Sequence, residues 1–414
     1  MTALPTSLPK RGALDVAAIR SQFPILRTLS RGKPLVYLDS AATTQKPLAM
    51  IDAVRDFYLR DNANIHRGVY QLSERATLGW DAARERVARF IGAGSADEVV
   101  FVRGTTEAIN LVAHSFLRPR LARNPTVIVT AMEHHANIVP WQLVGATTIA
   151  IPISDSGELD LAAAELMLRQ GASLLAVAHI SNALGTINPV ADLCRMARAA
   201  GVPILVDGAQ AAAHVPIDVA ELDCDFYCFS GHKVFGPTGI GVLWAKSEHL
   251  AAMPPYQGGG DMIDEVSFEH TTFAAPPRRF EAGTPDIAGA VGLDAALDWL
   301  AAQDREAIRT HEDGLRDYAT ERLSEVPGLQ LVGTAPDKAA VIAFVMHGAH
   351  PHDIASLLDG DGICVRAGHH CTQPLHRRLG VTATARASFT LYNTRAEVDA
   401  LAQGLLGVRR VLGL

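Results

Sequence analysis

The sequence predicts an α/β fold: a mostly parallel sheet with helices on both faces, followed by a smaller α+β domain at the C-terminal end. Three observations predict it. Between about Val36 and Ile287, short apolar runs alternate with amphipathic stretches, the rhythm of a parallel sheet with helical crossovers. From Ala288 that rhythm gives way to a long helical stretch reaching about Val326, and strands and helices are mixed beyond it. With 414 residues, 48% apolar and 20% charged, the chain has material for two or three domains and an ordinary globular balance.

Residues 1–35 read as a tail plus one short helix, about 14–22, ended by Pro24 and expected to pack on the small domain. Residues 36–287 form the large domain. Its strands are expected at 127–130, 174–179, 204–207, 226–230 and 241–245, with a further one ending near Val102. Too few residues separate 226–230 from 241–245 for a helical crossover, so that pair is expected to be antiparallel. Residues 288–414 hold a bridging helix, broken near Asp304, and the small domain, with a strand at 341–346 and helices at 352–358 and 396–406. No internal repeat or low-complexity segment is present.

Bulk properties narrow the function. A net charge of −7 offers no broad basic field for nucleic acid or an anionic membrane. No apolar run approaches the length of a bilayer span. Met1 to Arg11 carries two basic residues with no apolar core after them, which is not the pattern of a secretory signal. Five cysteines (Cys194, Cys224, Cys228, Cys364, Cys371) in a chain this long do not read as a disulfide framework, and a reduced cytoplasm is the expected setting. Strand-to-helix turns carry neither a Walker A nor a dinucleotide fingerprint.

The chemistry begins at Lys233, inside Ser230-Gly231-His232-Lys233-Val234-Phe235-Gly236-Pro237-Thr238-Gly239. Apolar, glycine-rich surroundings disfavour an ammonium, which makes a lysine a nucleophile able to form an imine. Ser230 and His232 are donors for a phosphate. A carboxylate follows the buried strand pattern of Val202–Val206 at Asp207, where ligands gather in open α/β sheets. Upstream, Val99–Val102 leads through Arg103-Gly104-Thr105-Thr106 into a helix whose N-terminus suits a phosphate dianion. An imine-forming lysine, a carboxylate for a pyridinium nitrogen and a phosphate cradle are the requirements of pyridoxal 5′-phosphate (PLP). His134, just past 127–130, offers an imidazole that can stack on a flat ring.

A second centre lies at Arg366-Ala367-Gly368-His369-His370-Cys371. A thiol beside an arginine and two histidines is expected to have a stabilised thiolate. Cys194, Cys224 and Cys228 read as small buried hydrophobes and Cys364 as structural. The pairs His134-His135, His369-His370 and His350-Pro351-His352 raise a metal reading, but lack zincin or finger spacing, and no resident metal is expected.

At these residues the chain resembles the cysteine desulfurases, fold-type I PLP enzymes of the class V aminotransferase group, and within them the SufS-type branch. The resemblance runs from Leu38-Asp39-Ser40-Ala41-Ala42-Thr43-Thr44 through Arg67-Gly68, Met132-Glu133-His134-His135-Ala136-Asn137, His179-Ile180-Ser181-Asn182 and Glu281-Ala282-Gly283-Thr284-Pro285 to Arg386-Ala387-Ser388 and Tyr392-Asn393-Thr394. The short loop before Cys371 separates this branch from relatives whose catalytic cysteine lies on a longer mobile loop.

The resemblance implies a seven-stranded-type sheet in the large domain and a role for each matching residue. Lys233 would carry PLP and move protons at Cα, Asp207 would keep the pyridine nitrogen protonated, Gln210 would reach the ring hydroxyl and His134 would stack on the ring. Thr105, Thr106, Ser230 and His232 would hold the phosphate, with Thr284 reaching in from the partner of a homodimer. Asn182 and Arg386 would bind the substrate carboxylate, and Arg366 and His369 would orient the loop. Cys371 would take sulfur from L-cysteine as a persulfide, releasing alanine, for iron–sulfur cluster assembly. His352 resembles the histidine that serves transfer to a zinc-bearing SufU-type acceptor rather than a SufE-type one; alternatively His350–Asp353 simply starts a helix. The same scaffold would also suit a selenocysteine lyase or a cysteine-sulfinate desulfinase. A lyase or epimerase for another amino acid would have no use for the Cys371 loop, and a non-enzymatic scaffold would leave Lys233 without a cofactor.

Overall fold

The computed structural model describes residues 14–414. The tail before Leu14, including the stretch read as no secretory signal, lies outside the described residues.

Seven strands form the central sheet: β1 (Val99–Val102), β2 (Thr126–Thr130), β3 (Thr147–Ile151), β4 (Leu174–Ala178), β5 (Ile204–Asp207), β6 (Phe226–Ser230) and β7 (Gly241–Ala245). Their order is β1-β7-β6-β5-β4-β2-β3. Neighbours from β6 through to β3 are parallel, whereas β7 runs antiparallel to both β6 and β1, as the short 231–240 connection requires. The central strands are buried along their whole length, the consequence of helices covering both faces. One apolar layer lies on each face: Trp80, Val87 and Leu293 pack in one, Ile109, Phe116 and Trp141 in the other.

The long helical stretch is two helices, Ile287–Ala301 and Arg305–Ser324. Asp304 separates them because its carboxylate caps the second, accepting from the backbone N–H of Glu306 and Ala307 at 3.0 Å each. The C-terminal unit is an antiparallel sheet of β8 (Leu329–Val332), β9 (Val341–Met346), β10 (Arg366–Gly368) and β11 (Thr384–Ser388), ordered β8-β9-β11-β10. Pro351–Gly360 and Arg395–Leu412 close it, the latter with a Thr394–Glu397 capping box.

The N-terminal segment departs from its expected partition. Val36–Tyr37 pairs in parallel with Ile363–Cys364, and Leu38 belongs to the apolar cluster of the small unit, so contact with that unit continues past residue 35. The helix Val16–Ser21 also does not rest on the small unit alone. Arg20 reaches Tyr392 O and Glu397 Oε1 there, while Phe23 sits edge-on to Phe235 and Trp299 of the large unit as well as Tyr392. It is a wedge between the two.

At the junction of β1 and β7 the backbones nearly touch: a Cβ on Gly241 would lie 2.4 Å from Gly104 Cα. No side-chain rotation relieves a backbone clash. Gly241→Ala is therefore expected to destabilise the protein by about 1–3 kcal/mol, the range for overpacking. A denaturation midpoint unchanged from wild type would show that the two strands can part without cost.

Candidate active site

The carboxyl ends of β2, β4, β5 and β6 meet the small sheet around a cavity of about 290 Å³. Lys233, Asp207, Gln210, His134, Thr105, Thr106, Ser230, His232, Asn182, Arg366, Arg386 and Cys371 all line it. The structure thus gathers onto one cavity groups from Thr105 to Arg386 that lie far apart in the chain.

Lys233 ends the short 3₁₀ turn after β6. Its amine makes no hydrogen bond among the described residues, and burial lowers its pKa to about 8 against the opposing pull of Asp207. Asp207 closes β5. Its Oδ1 accepts from the Ala209 N–H at 2.9 Å, no partner engages Oδ2 among the described residues, and burial raises its pKa. A buried, half-satisfied carboxylate facing a cavity is the partner a pyridinium N–H requires. His134 accepts from the Ala136 N–H at 3.0 Å through Nδ1, which fixes the neutral tautomer; burial, then the Lys233 charge, lowers its pKa to about 4. These three groups fit the ring of PLP.

The phosphate end is equally ordered. Gly104 has φ +151°, a conformation that belongs to glycine, and it turns the chain from β1 into the helix Thr105–Leu111. Ser230 Oγ accepts from the Thr105 N–H and contacts its hydroxyl, both at 2.9 Å, so the two proposed phosphate donors are held together. Burial lowers the His232 pKa to about 4. Gln210 donates through Nε2 to Ala41 O at 2.7 Å, its Oε1 remaining without a hydrogen bond.

The Cys371 loop is short and tied at both ends. His370 and Cys371 both take left-handed backbone, φ 50° and 57°. Non-glycine residues there cost about 1 kcal/mol or more each and persist when neighbours hold them. Here the His135 N–H donates to Cys371 O and the Asn182 amide donates to His370 O, each at 2.7 Å. Cys371 is exposed and the other four cysteines are not. The two histidines before it do not act alike: His370 turns away to Thr384 Oγ1 at 2.9 Å, and burial drives its pKa to about 2, so it adds no charge to the thiol. Arg366 is taken up by Asp39.

Two expected site residues lie elsewhere. Thr284 lines a separate cavity with Arg103, Glu107 and Tyr256, on the far side of the Gly104 turn. His352 is exposed in the first turn of Pro351–Gly360, with His350 as N-cap and its ring stacked on His350 at 6.0 Å. Among the described residues, none of the histidine pairs forms a metal-sized group; Asp225, Glu248 and His249 do, far from this chemistry in the sequence.

Five supporting residues escaped the sequence reading. Lys46, Thr43 and Thr44 all donate to His232 O, at 2.8, 3.0 and 3.2 Å, fixing the peptide before Lys233. Glu133 is fully enclosed, accepting from Thr130, Asn137 and the Ala178 N–H; burial raises its pKa to about 7 against those bonds. It ties the ends of β2 and β4 beneath His134. Asp39 joins Arg366 to Arg386. Lys46 lies outside the quoted motifs and the other four lie within them, but only the fold shows what each touches.

The arrangement defines a class: an α/β enzyme built to hold a carbonyl cofactor on a buried lysine, with a thiol facing the same space. The chain belongs to the aminotransferase class-V family, whose model matches residues 36–401. A cysteine desulfurase of Dickeya dadantii is 52% identical over 400 residues, covering 95% of this chain and 97% of that protein. A probable cysteine desulfurase of Mycolicibacterium paratuberculosis is 51% identical over 96% of this chain, which spans 58% of its length. The crystal structure of the cysteine desulfurase CsdA from Escherichia coli superposes with a TM-score of 0.88 at 42% identity, covering 97% of this chain and all of that one. This protein is a member of the cysteine desulfurases.

The Lys233 pKa carries a signed consequence. It is lowered on folding, so the fold disfavours the ammonium: the penalty is full below about pH 8 and relieved as pH rises towards the free-lysine value of ~10.4. In protein stripped of cofactor, recapture of PLP is expected to accelerate through a midpoint near pH 8. Asp207→Asn is expected to move that midpoint lower, because the Asp207 charge helps retain the proton. A midpoint near ~10.4 would mean that the amine is not desolvated.

Proposed function

We propose that this desulfurase converts L-cysteine to L-alanine with Lys233 as the cofactor lysine and Cys371 as the sulfur-accepting nucleophile. The observation that carries the reading is that both side chains line one cavity. PLP bound there supplies an electron sink that makes the Cα and Cβ bonds of the amino acid labile. Asp207 holds the ring cation, His134 covers one face, and Thr105, Thr106, Ser230 and His232 take the phosphate. Arg386 and Asn182 receive the substrate carboxylate, for which a guanidinium fork is suited.

Lys233 takes and returns the proton at Cα. The Cys371 thiolate attacks the substrate sulfur: an S–S bond forms, the Cβ–S bond breaks, and Cβ keeps that electron pair and is protonated to the methyl group of alanine. The transferred sulfur remains on Cys371 as a persulfide.

The same reading makes the enzyme a cytoplasmic homodimer that supplies sulfur for iron–sulfur cluster assembly. Thr284 supports dimerisation, since it lies outside the cavity that holds Lys233 and is available to a second copy. No helix among the described residues is long and apolar enough to cross a membrane. The exposure of His352 supports its service to a SufU-type acceptor.

Alanine and persulfide formation from L-cysteine, measured in wild type and Cys371→Ala, tests the central claim. Wild type is expected to form both, and the variant to lose both while keeping its cofactor spectrum and its activity on L-selenocysteine. A variant that still makes alanine from L-cysteine at the wild-type rate removes Cys371 from the chemistry. For the acceptor, His352→Ala is expected to lower acceptor-stimulated turnover and leave the unstimulated rate intact; equal stimulation in both would return His352 to a helix-start residue.

A further inference from the structure

Lys233 sits inside a turn that closes in the manner of a helix end. The Gly236 N–H donates to Gly231 O at 2.9 Å, and the residue before Gly236 takes left-handed backbone, the pattern of a Schellman motif. That left-handed position ordinarily belongs to glycine, yet here it is Phe235, at φ +65°. The inner bond of the motif is replaced as well. Where the Phe235 N–H would reach back to His232 O, the buried Thr44 hydroxyl stands between them. It accepts from the first at 2.9 Å and donates to the second at 3.2 Å. A bulky residue in this conformation persists only where its surroundings hold it.

What holds it is aromatic. The Phe235 ring is fully buried and meets Phe23, Trp299 and Tyr392 edge-on, at centroid distances of 6.1, 5.4 and 6.5 Å. Phe23, also fully buried, joins the other two, at 5.3 Å from Trp299 and 4.9 Å from Tyr392. The N-terminal segment, the Lys233 turn, the helix Ile287–Ala301 and the small unit thus give one ring each to a single box. Trp299 Nε1 donates to Gln22 Oε1 at 2.7 Å, which ties the residue beside Phe23 to the same helix. None of the four rings lines the cavity.

We propose that Phe23 is a positioning residue for Lys233: packed on Phe235, it holds the left-handed turn from which the cofactor lysine projects. The N-terminal segment thereby takes part in the reaction without touching substrate. This inference rests on the reading that Lys233 moves the proton at Cα.

The test is exchange of the Cα proton of L-alanine in heavy water on the holoenzyme, followed by NMR. The Cα–H bond breaks, the proton passes to Lys233, and a deuteron from solvent returns to Cα; the thiol takes no part. Phe23→Leu is expected to lower the exchange rate at saturating L-alanine by about tenfold and to leave KM within about twofold, since Arg386 and Asn182 stand on other elements. The circular dichroism of the cofactor band is expected to weaken relative to its absorbance. Phe116→Leu, in the apolar layer on the other face, is expected to lower the unfolding temperature similarly and to change neither readout. Equal rate losses in Phe23→Leu and Phe116→Leu, or an unchanged rate in Phe23→Leu, would overturn the proposal.

A second pair of variants keeps the test decisive if Phe23→Leu does not fold. Phe235→Gly and Phe235→Ala both remove the ring, but only glycine takes left-handed backbone freely. Phe235→Gly is expected to exchange about fivefold faster than Phe235→Ala. Equal rates would show that the ring does not act by holding the turn. Lys233→Ala separates the inference from the reading beneath it. Exchange that survives in Lys233→Ala sinks the role of Lys233, whereas exchange lost there but intact in Phe23→Leu sinks the positioning role alone.

Discussion

A desolvated amine that makes no hydrogen bond among the described residues is the constraint around which this molecule is arranged. A lysine in water holds its proton; here burial takes the pKa to about 8 and leaves the nitrogen free for a carbonyl. That state has to be enforced from outside, because a lysine side chain would otherwise turn to solvent. The enforcement is backbone geometry. Lys233 follows a fully buried strand, and the carbonyl before it is gripped by Thr43, Thr44 and Lys46. Lys46 is itself buried, with its pKa lowered to about 7, so one desolvated lysine is positioned with the help of another.

The stretch from Val36 to Lys46 connects otherwise separate parts. It begins as a strand beside Ile363–Cys364, passes Asp39 between two arginines of the small sheet, and ends on His232 O in the large domain. The Ala41 N–H donates to Ser388 Oγ and Ala41 O accepts from Gln210, so adjacent atoms of one residue touch both units. Lys233, Asp207 and Asn182 line the cavity from the large domain, and Arg366, Arg386 and Cys371 line it from the small one. Their spacing therefore depends on a segment that lines little of the cavity itself.

Much of this was legible in the sequence, for identifiable reasons. Continuous apolar runs marked the buried strands, and 204–207, 226–230, 241–245 and 341–346 fall where the pattern puts them, because strands covered on both faces admit few polar residues, whichever way their neighbours run. The break at Asp304 was legible because a helix cap is a local event. Lys233, Asp207 and Cys371 stand out in the sequence by side-chain type, and the fold brings all three to one cavity. What sequence left hidden was pairing at a distance. Asp39 lies 327 residues from Arg366, and nothing in its neighbourhood says which cation it faces. The boundary at 35 was misplaced for the same reason: Val36–Tyr37 reads as any short strand until its partner at 363–364 is seen. The expected help of His370 to the Cys371 thiol failed because adjacency in sequence does not fix side-chain direction, and Thr384 holds the ring elsewhere.

The Cys371 loop shows how such a site divides its labour. Two successive left-handed residues are costly, and they are held by hydrogen bonds to Asn182 and to the turn that carries His134. The backbone that carries the thiol is thus bonded directly to Asn182 and His135 of the large domain. Cys371 is nonetheless exposed. A short, tethered and exposed thiol can take sulfur from a substrate bound beside it but cannot carry that sulfur away on its own loop. The acceptor has to come to the protein, so the rate of sulfur delivery depends on the surface around residue 371 as much as on the chemistry at Lys233.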